Sequence, residues 1–239
     1  MLRFCFVILI NFFNIIYYVP KMAHYGRHPE KYSDEQCYAL ARKLISKVQR
    51  AARVKTEYYG VENIPSCDGG YIMFSNHQGK YDALGILAGH DRPCTVLMDK
   101  KRSKLPIADQ FISLLRAQRI DKDSLRQQIT VLKTIVKEVT EGRVYLIFPE
   151  GGYAKDQGNR TAEFKQGCFL CAIHSKCPIV PVVIVDSYKV FGKSSLKKAT
   201  TKVIYLPPVP YEKYCNMKAP EISDMIKGII DAELEKWAA

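Results

Sequence analysis

Five short apolar runs, at residues 71–75, 95–98, 144–148, 179–185 and 202–206, are separated by stretches with helical spacing, and this alternation constrains the fold more than any other feature. Strand followed by helix, repeated, predicts an α/β layered domain with helices at 82–88, 107–115, 124–139, 162–174 and 221–237 flanking the strands. Several runs are continuous and rich in β-branched residues, Ile179-Val180-Pro181-Val182-Val183-Ile184-Val185 most of all. Such runs suit strands buried on both faces of a mostly parallel sheet. One such domain absorbs most of the 239 residues, and no repeat, low-complexity tract or long linker interrupts it. Ligands of open parallel sheets sit beyond the carboxyl ends of the strands, so the residues that follow each run carry the functional reading.

Ahead of the alternation lies a segment of another kind. Residues 4–19 form an apolar run of 16 residues, interrupted by Asn11 and Asn14 and flanked by Arg3 and Lys21. As one helix it is about 24 Å long, short of the ~30 Å hydrocarbon core of a bilayer. It therefore lies shallowly or tilted in one leaflet, or spans with the help of Tyr17 and Tyr18. A cleaved signal peptide is the competing reading, but no small-x-small cleavage site follows Tyr18. We expect residues 1–20 to be an uncleaved apolar membrane anchor. Lys21, Arg27 and Lys31 outweigh the charge upstream, which by the positive-inside tendency places the main domain on the cytoplasmic face of the membrane. Residues 21–54 make a basic amphipathic segment whose helix opens at the capping box Ser33-Asp34-Glu35-Gln36. Cys37, Leu40, Ala41, Leu44, Ile45 and Val48 share one face, with Arg42, Lys43, Lys47, Arg50 and Arg53 around it. That helix either lies on anionic lipid or packs on the domain as an ordinary surface helix.

Charge supports a polyanionic partner. Residues 1–60 hold ten basic and four acidic side chains and residues 189–218 hold seven and one, whereas the remainder is balanced at 19 of each sign within a total of +12. Nucleic acid and the anionic face of a membrane both fit such a pattern. No helix-turn-helix, zinc or aromatic RNA-binding pattern is present, and the apolar first 19 residues favour membrane phospholipid. Eight cysteines are scattered without a disulfide framework, as in a reducing compartment. Cys168, Cys171, His174 and Cys177 step round a helix by about −60° each and do not converge, so no metal site is expected.

Two stretches after strand-like runs carry chemistry. Asn76-His77-Gln78-Gly79-Lys80-Tyr81-Asp82 follows the first run. A histidine at a strand end with a carboxylate five residues later can form a general base and its orienter, competent toward a hydroxyl. Taken alone, the same residues also read as a loop histidine and a helix N-cap. Pro149-Glu150-Gly151-Gly152 follows the 144–148 run, with Lys155, Arg160 and Lys165 beyond it. Its glycines permit positive φ and close backbone approach, and the cations could meet a phosphate; a plain turn uses Pro and Gly as well.

In conjunction these stretches say more. With Ile120-Asp121-Lys122-Asp123 between them and Val180-Pro181-Val182-Val183 after them, they resemble the four blocks of the glycerolipid acyltransferases, the 1-acylglycerol-3-phosphate (lysophosphatidate) acyltransferase family, over about residues 55–210. The resemblance makes residues 55–239 the acyltransferase domain. It implies transfer of a fatty acyl group from a thioester on coenzyme A or acyl carrier protein to the hydroxyl of a lysophospholipid, giving phosphatidate from lysophosphatidate. The thioester is a co-substrate, and no resident cofactor is implied. The base would be His77 and its orienter Asp82, in the spacing of an HX4D motif. Lys122, Glu150 and Gly151 fall at positions associated with the phosphorylated acceptor, and Asn76 and Lys165 join them as substrate-binding candidates. Two positions depart from the family pattern: Lys122 stands for an arginine, losing the bidentate fork that matches a phosphate, and Gly152 stands for a threonine. Backbone N–H groups around Asn76 to Gly79, or the start of the next helix, are expected to hold the oxyanion. No Gly-x-Ser-x-Gly elbow offers a serine nucleophile, so attack by the acceptor oxygen is direct. A lipid hydrolase using His77 on water and a non-catalytic basic membrane protein are the competing classes; the second leaves the His77 and Glu150 blocks unexplained.

Overall fold

The computed structural model describes residues 2–66, 68–154, 157–193 and 195–237. In chain order they form α1 (Leu2–Ile10), α2 (Phe12–Arg27), α3 (Asp34–Ala52), β1 (Val54–Tyr59), β2 (Ile72–Ser75), α4 (Asp82–Gly89), β3 (Cys94–Asp99), α5 (Lys100–Ser103) and α6 (Ala108–Leu114). There follow β4 (Gln118–Ile120), α7 (Leu125–Thr140), β5 (Val144–Ile147), α8 (Leu170–Ser175), β6 (Ile179–Val185), α9 (Tyr188–Phe191), β7 (Ala199–Tyr205) and α10 (Ala219–Trp237). Seven strands make one sheet in the order β1-β7-β6-β2-β5-β3-β4. Every pairing is parallel except β6 with β7, where the chain turns back and β1 and β7 run against the rest. The chain is thus the α/β domain with a mostly parallel sheet that the alternation predicts.

Continuous apolar runs give alternate residues to the two faces. Met73, Leu146, Val180, Val182 and Ile184 pack with residues of α2, α3, α4 and α6. Ile72, Phe74, Tyr145, Ile147, Ile179 and Val183 pack with α7, α8 and α10 on the other side. Because β2, β3, β4, β5 and β6 are parallel, their carboxyl ends share one edge, and the loops after them meet there.

The basic helix is settled by its packing. Ser33 caps it, accepting from the Gln36 N–H while the Gln36 side chain accepts from the Ser33 N–H, a motif that contributes about 1 kcal/mol. Cys37, Leu40, Ala41 and Ile45 are buried against the sheet, so α3 is part of the core. Its outer cations find local partners, Arg42 with Asp91 and Lys47 over the Tyr18 ring.

Differences from the periodicity have local causes. The helix expected at 162–174 is shorter, a 3-10 turn at Gln166–Phe169 leading into α8. Upstream of it, the Ala162 N–H is drawn to the Glu150 carboxylate and the Lys165 N–H to the Pro149 carbonyl, which fixes an extended path. Strands β1 and β4 carry no apolar run because each is an edge strand with side chains only half covered. The apolar run at 4–19 is two helices, bent by 78° at Asn11, whose side-chain amide donates to the Val7 carbonyl at 3.0 Å. Among the described residues no single helix is long and apolar enough to cross a membrane; α1 and α2 reach that length and hydropathy only as a bent pair. Leu9 is 73% exposed and Phe13 82%. Arg3, a flanking charge by sequence, is buried instead and donates to the carbonyls of Lys189, Val190 and Lys197, docking α1 beside α9.

Candidate active site

The loop after β2 is built around one carboxylate. Asp82 at the start of α4 is fully buried, and its Oδ2 accepts from His77 Nδ1 at 2.6 Å, from the Gly79 N–H at 2.8 Å and from the Gln78 N–H. Its Oδ1 accepts from the Ser187 hydroxyl. Asp82 therefore turns back into the loop and does not serve as a helix N-cap. With Nδ1 donating to Asp82, the neutral imidazole carries its lone pair on Nε2, the form a general base needs. Among the described residues Nε2 has no hydrogen-bond partner. Phe148 stacks on the ring at 4.3 Å and 21°, and Tyr153 meets it edge-on at 4.7 Å and 77°. These contacts fix the plane of the imidazole and leave its side chain 17% exposed.

Asn76 is turned inward. Its amide exchanges two hydrogen bonds with the Ile184 backbone, at 2.8 and 2.9 Å, and clamps the loop to β6. Gln78 does the same one step on, donating to the Ile184 carbonyl and to Asn159 and accepting from the Ser187 N–H. The oxyanion expectation needs correcting at three positions. The His77, Gln78 and Gly79 amides already donate to the Glu150 and Asp82 carboxylates, so they are not free to hold a developing charge.

Glu150, after β5, reaches the first loop from the adjacent strand. Its Oε1 accepts from the His77 N–H at 2.8 Å, and its Oε2 from the Ala162 N–H at 3.0 Å and Gln157 Nε2 at 2.5 Å. Burial pushes its carboxyl above the usual carboxylate range, while the Gln157, His77 and Ala162 donors pull against that shift. Gly151 follows at φ +67°, a conformation that suits glycine. The Lys165 chain lies over it, so that a Cβ there would stand 3.0 Å from Cε.

Cations gather on the same edge from other strands. Lys122, after β4, donates to the Gly151 carbonyl at 2.5 Å and pairs with Asp99, at the end of β3, at 3.0 Å. Burial works against the Asp99 charge, but the Arg102 N–H and Lys122 prevail and hold its carboxyl below the ordinary range. The Arg102 guanidinium stands 5.3 Å from the centre of the Tyr153 ring, the ring that also touches His77. Lys165 and Arg160 are exposed, and Lys155 lies outside the described residues. Of the cysteine and histidine cluster, Cys171 and Cys177 are core thiols and Cys168 donates to the Lys165 carbonyl.

His77, Asp82, Lys122, Glu150, Gly151 and Lys165 thus come to one edge, with Asn76 beneath them. Sequence reasoning missed Gln78, Phe148, Tyr153, Gln157, Asn159, Arg102 and Ser187. Of these only Gln78, Phe148 and Tyr153 had a signal, being within or next to the first and third blocks.

Comparison with known proteins gives the family and agrees with the fold. Residues 55–185 match the Acyltransferase family. A chloroplastic 1-acyl-sn-glycerol-3-phosphate acyltransferase of Brassica napus is 27% identical over 158 residues, 65% of this chain and 45% of that protein. The alpha form of 1-acyl-sn-glycerol-3-phosphate acyltransferase from Homo sapiens is 24% identical over 87% of this chain and 72% of its own length. The Salmonella typhimurium 1-acyl-sn-glycerol-3-phosphate acyltransferase is 27% identical over 72% of this chain and 71% of its own. The crystal structure of the Thermotoga maritima 1-acyl-sn-glycerophosphate acyltransferase superposes with a TM-score of 0.80 over 100% of this chain and 95% of that one, at 20% identity, and so shares the fold. The chain belongs to the Acyltransferase family.

Proposed function

We propose that this acyltransferase moves a fatty acyl group from a thioester, on coenzyme A or acyl carrier protein, to the free hydroxyl of lysophosphatidate, forming phosphatidate. The observation that carries the reading is His77, held through Nδ1 by buried Asp82 at 2.6 Å with Nε2 left open at the edge where the cations collect. His77 Nε2 takes the proton of the acceptor hydroxyl as its oxygen attacks the thioester carbonyl. Asp82 stabilises the imidazolium that results, and the same proton goes to the departing thiolate as the tetrahedral intermediate collapses. Both reactants must be bound together, because no enzyme nucleophile stores the acyl group.

Lys122, Arg102 and Lys165 supply positive charge for the acceptor phosphate. Glu150 serves as a brace. Its oxygens hold the His77 and Ala162 amides and so lock the first and third blocks together, leaving phosphate contact to the cations. Asn76 is likewise a clamp, its side chain buried and tied to the Ile184 backbone.

Membrane association rests on α1 and α2, whose exposed Leu9, Ile10, Phe12, Phe13 and Ile16 present hydrocarbon that water disfavours. Phe4 packs on Phe191 and lies under the Lys80 ammonium, so this apolar surface adjoins the catalytic loop. A lipid acceptor entering from a leaflet has a short path to His77. We place the catalytic edge at the cytoplasmic face, following the charge bias of Lys21, Arg27 and Lys31 downstream of the apolar run. Full-length protein should stay with membranes in high salt, because hydrocarbon burial is not screened; extraction by salt alone would remove the anchor from this account.

The function is tested by incubating purified full-length protein with a lysophospholipid panel and both thioester types, and following phosphatidate and free thiol. Transfer to lysophosphatidate, lost in His77→Ala, is expected. Release of free fatty acid without ester formation would instead make the chain a hydrolase.

A further inference from the structure

Asp82 has one oxygen with three donors and another with only one. Oδ2 takes the His77, Gln78 and Gly79 N–H groups, all from its own loop. Oδ1 takes the hydroxyl of Ser187, which is 105 residues away in the chain and 1% exposed. Among the described residues no other donor reaches Oδ1.

The delivery of that hydroxyl is itself built. Asp186, between β6 and Ser187, adopts φ +62°, a left-handed conformation uncommon outside glycine that Asp tolerates better than most residues and that its surroundings here hold in place. The enforcement is visible: Asn159 accepts from the Asp186 N–H at 2.8 Å and donates to its carboxylate at 3.0 Å, and Lys189 pairs with the other oxygen at 2.6 Å. One residue on, the Ser187 N–H donates to Gln78 Oε1 at 2.9 Å. The turn after β6 is thus pinned from the third-block loop through Asn159 and from the first-block loop through Gln78, and its product is a hydroxyl aimed at the far side of the catalytic carboxylate.

We propose that Ser187 is a positioning residue of the His77–Asp82 pair, and that the left-handed turn at Asp186 exists to place it. A fully buried carboxylate with one oxygen unpartnered is a strong acceptor whose charge seeks another proton donor. Ser187 satisfies that oxygen, fixes the carboxylate plane against His77 Nδ1, and limits how strongly Asp82 draws a proton onto the imidazole. Without the hydroxyl, the anion is less solvated and holds the imidazolium more tightly, so the neutral base is reached only at higher pH. The fourth sequence block then gains a physical role, because the strand it forms carries Ser187 to the site.

The proposal rests on His77 acting as the base, and the two are separable by experiment. Transfer activity of full-length wild-type, His77→Ala and Ser187→Ala proteins is followed from pH 5 to 9, with thermal unfolding as the check on fold. Loss of transfer in His77→Ala tests the base. For Ser187→Ala we expect roughly a tenfold fall in kcat at neutral pH and a rise of about half a pH unit or more in the acid limb of kcat/KM, at unchanged acceptor KM. Glu150 and Tyr153, the other titratable groups against His77 among the described residues, are untouched by the substitution, so the limb isolates the serine. Ser187→Thr, which keeps the hydroxyl, should return the limb to its wild-type place. A fall in rate with an unmoved limb makes Ser187 merely structural and overturns the proposal. If Ser187→Ala does not fold, the proton on His77 Nδ1 is read by NMR in wild type and Ser187→Thr: a strongly downfield resonance in both supports the proposal, and its absence from wild type overturns it.

Discussion

The first-block and third-block loops follow neighbouring parallel strands, end at the same edge and carry the same number of candidate roles, yet they are built in opposite ways. In the loop after β2, Asn76, Gln78 and Asp82 are buried and each polar group of theirs described here has an inward partner. In the loop after β5, Glu150 is buried together with the apolar Pro149 and Phe164, while Gly152 has open space around it and Lys165 is exposed. A proton transfer tolerates little displacement of its donor and acceptor, and the interior supplies that rigidity. In the proposed reaction a charged headgroup can be met by long side chains that move, which suits the exposed cations of the outer loop.

That contrast orders the expected effects of substitution. His77→Ala should lower transfer by about a hundredfold or more with unfolding unchanged, and Asp82→Ala nearly as much. If His77→Ala retains more than a tenth of the wild-type rate, the buried loop is not the catalytic one and the contrast fails. Glu150→Ala joins the two loops in a single experiment. It leaves the His77 and Ala162 amides without their acceptor, which costs about 2 kcal/mol and lowers Tm by about 5 °C, with kcat falling roughly tenfold. An acceptor KM defect with kcat and Tm intact would make Glu150 a substrate ligand and move it to the outer set.

Smaller effects are expected outside. Lys122→Met should raise KM for a phosphorylated acceptor by about three- to tenfold and leave the thioester KM alone, because its ammonium is half-exposed and shares its charge with Asp99. Lys122→Arg should match or improve on wild type, since the fork suits phosphate. Equal defects for both substrates would report a disturbed fold instead. Lys165→Ala should change acceptor KM by less than about threefold, because its ammonium is exposed and has no ion-pair partner among the described residues. A loss as large as that of His77→Ala would show that the outer loop is as exacting as the inner one.

Much of this was readable in the chain because it is local. Spacing of five residues brings His77 onto Asp82 across one turn, and the capping box starts α3 with no tertiary help. The parallel sheet was equally readable, since runs such as 179–185 have no polar residue to offer water on either face. At His77, Gln78 and Gly79 the oxyanion expectation failed for a reason no local pattern reveals: these amides turn toward two carboxylates, and one of those, Glu150, lies in the loop after β5, 73 residues on from His77.

The sequence alone determines where burial must occur and which short motifs close on themselves, because hydrophobic period and turn geometry act over a few residues. It determines the α/β domain, the His77–Asp82 contact and the apolar amino terminus. Only the tertiary structure decides that α3 belongs to the core, that the apolar run bends by 78° at Asn11, that Glu150 faces His77 and that Ser187 backs Asp82. Each of these depends on hydrogen bonds or packing between segments that the sheet order alone makes neighbours, and strand order is set by the joint burial of all seven strands.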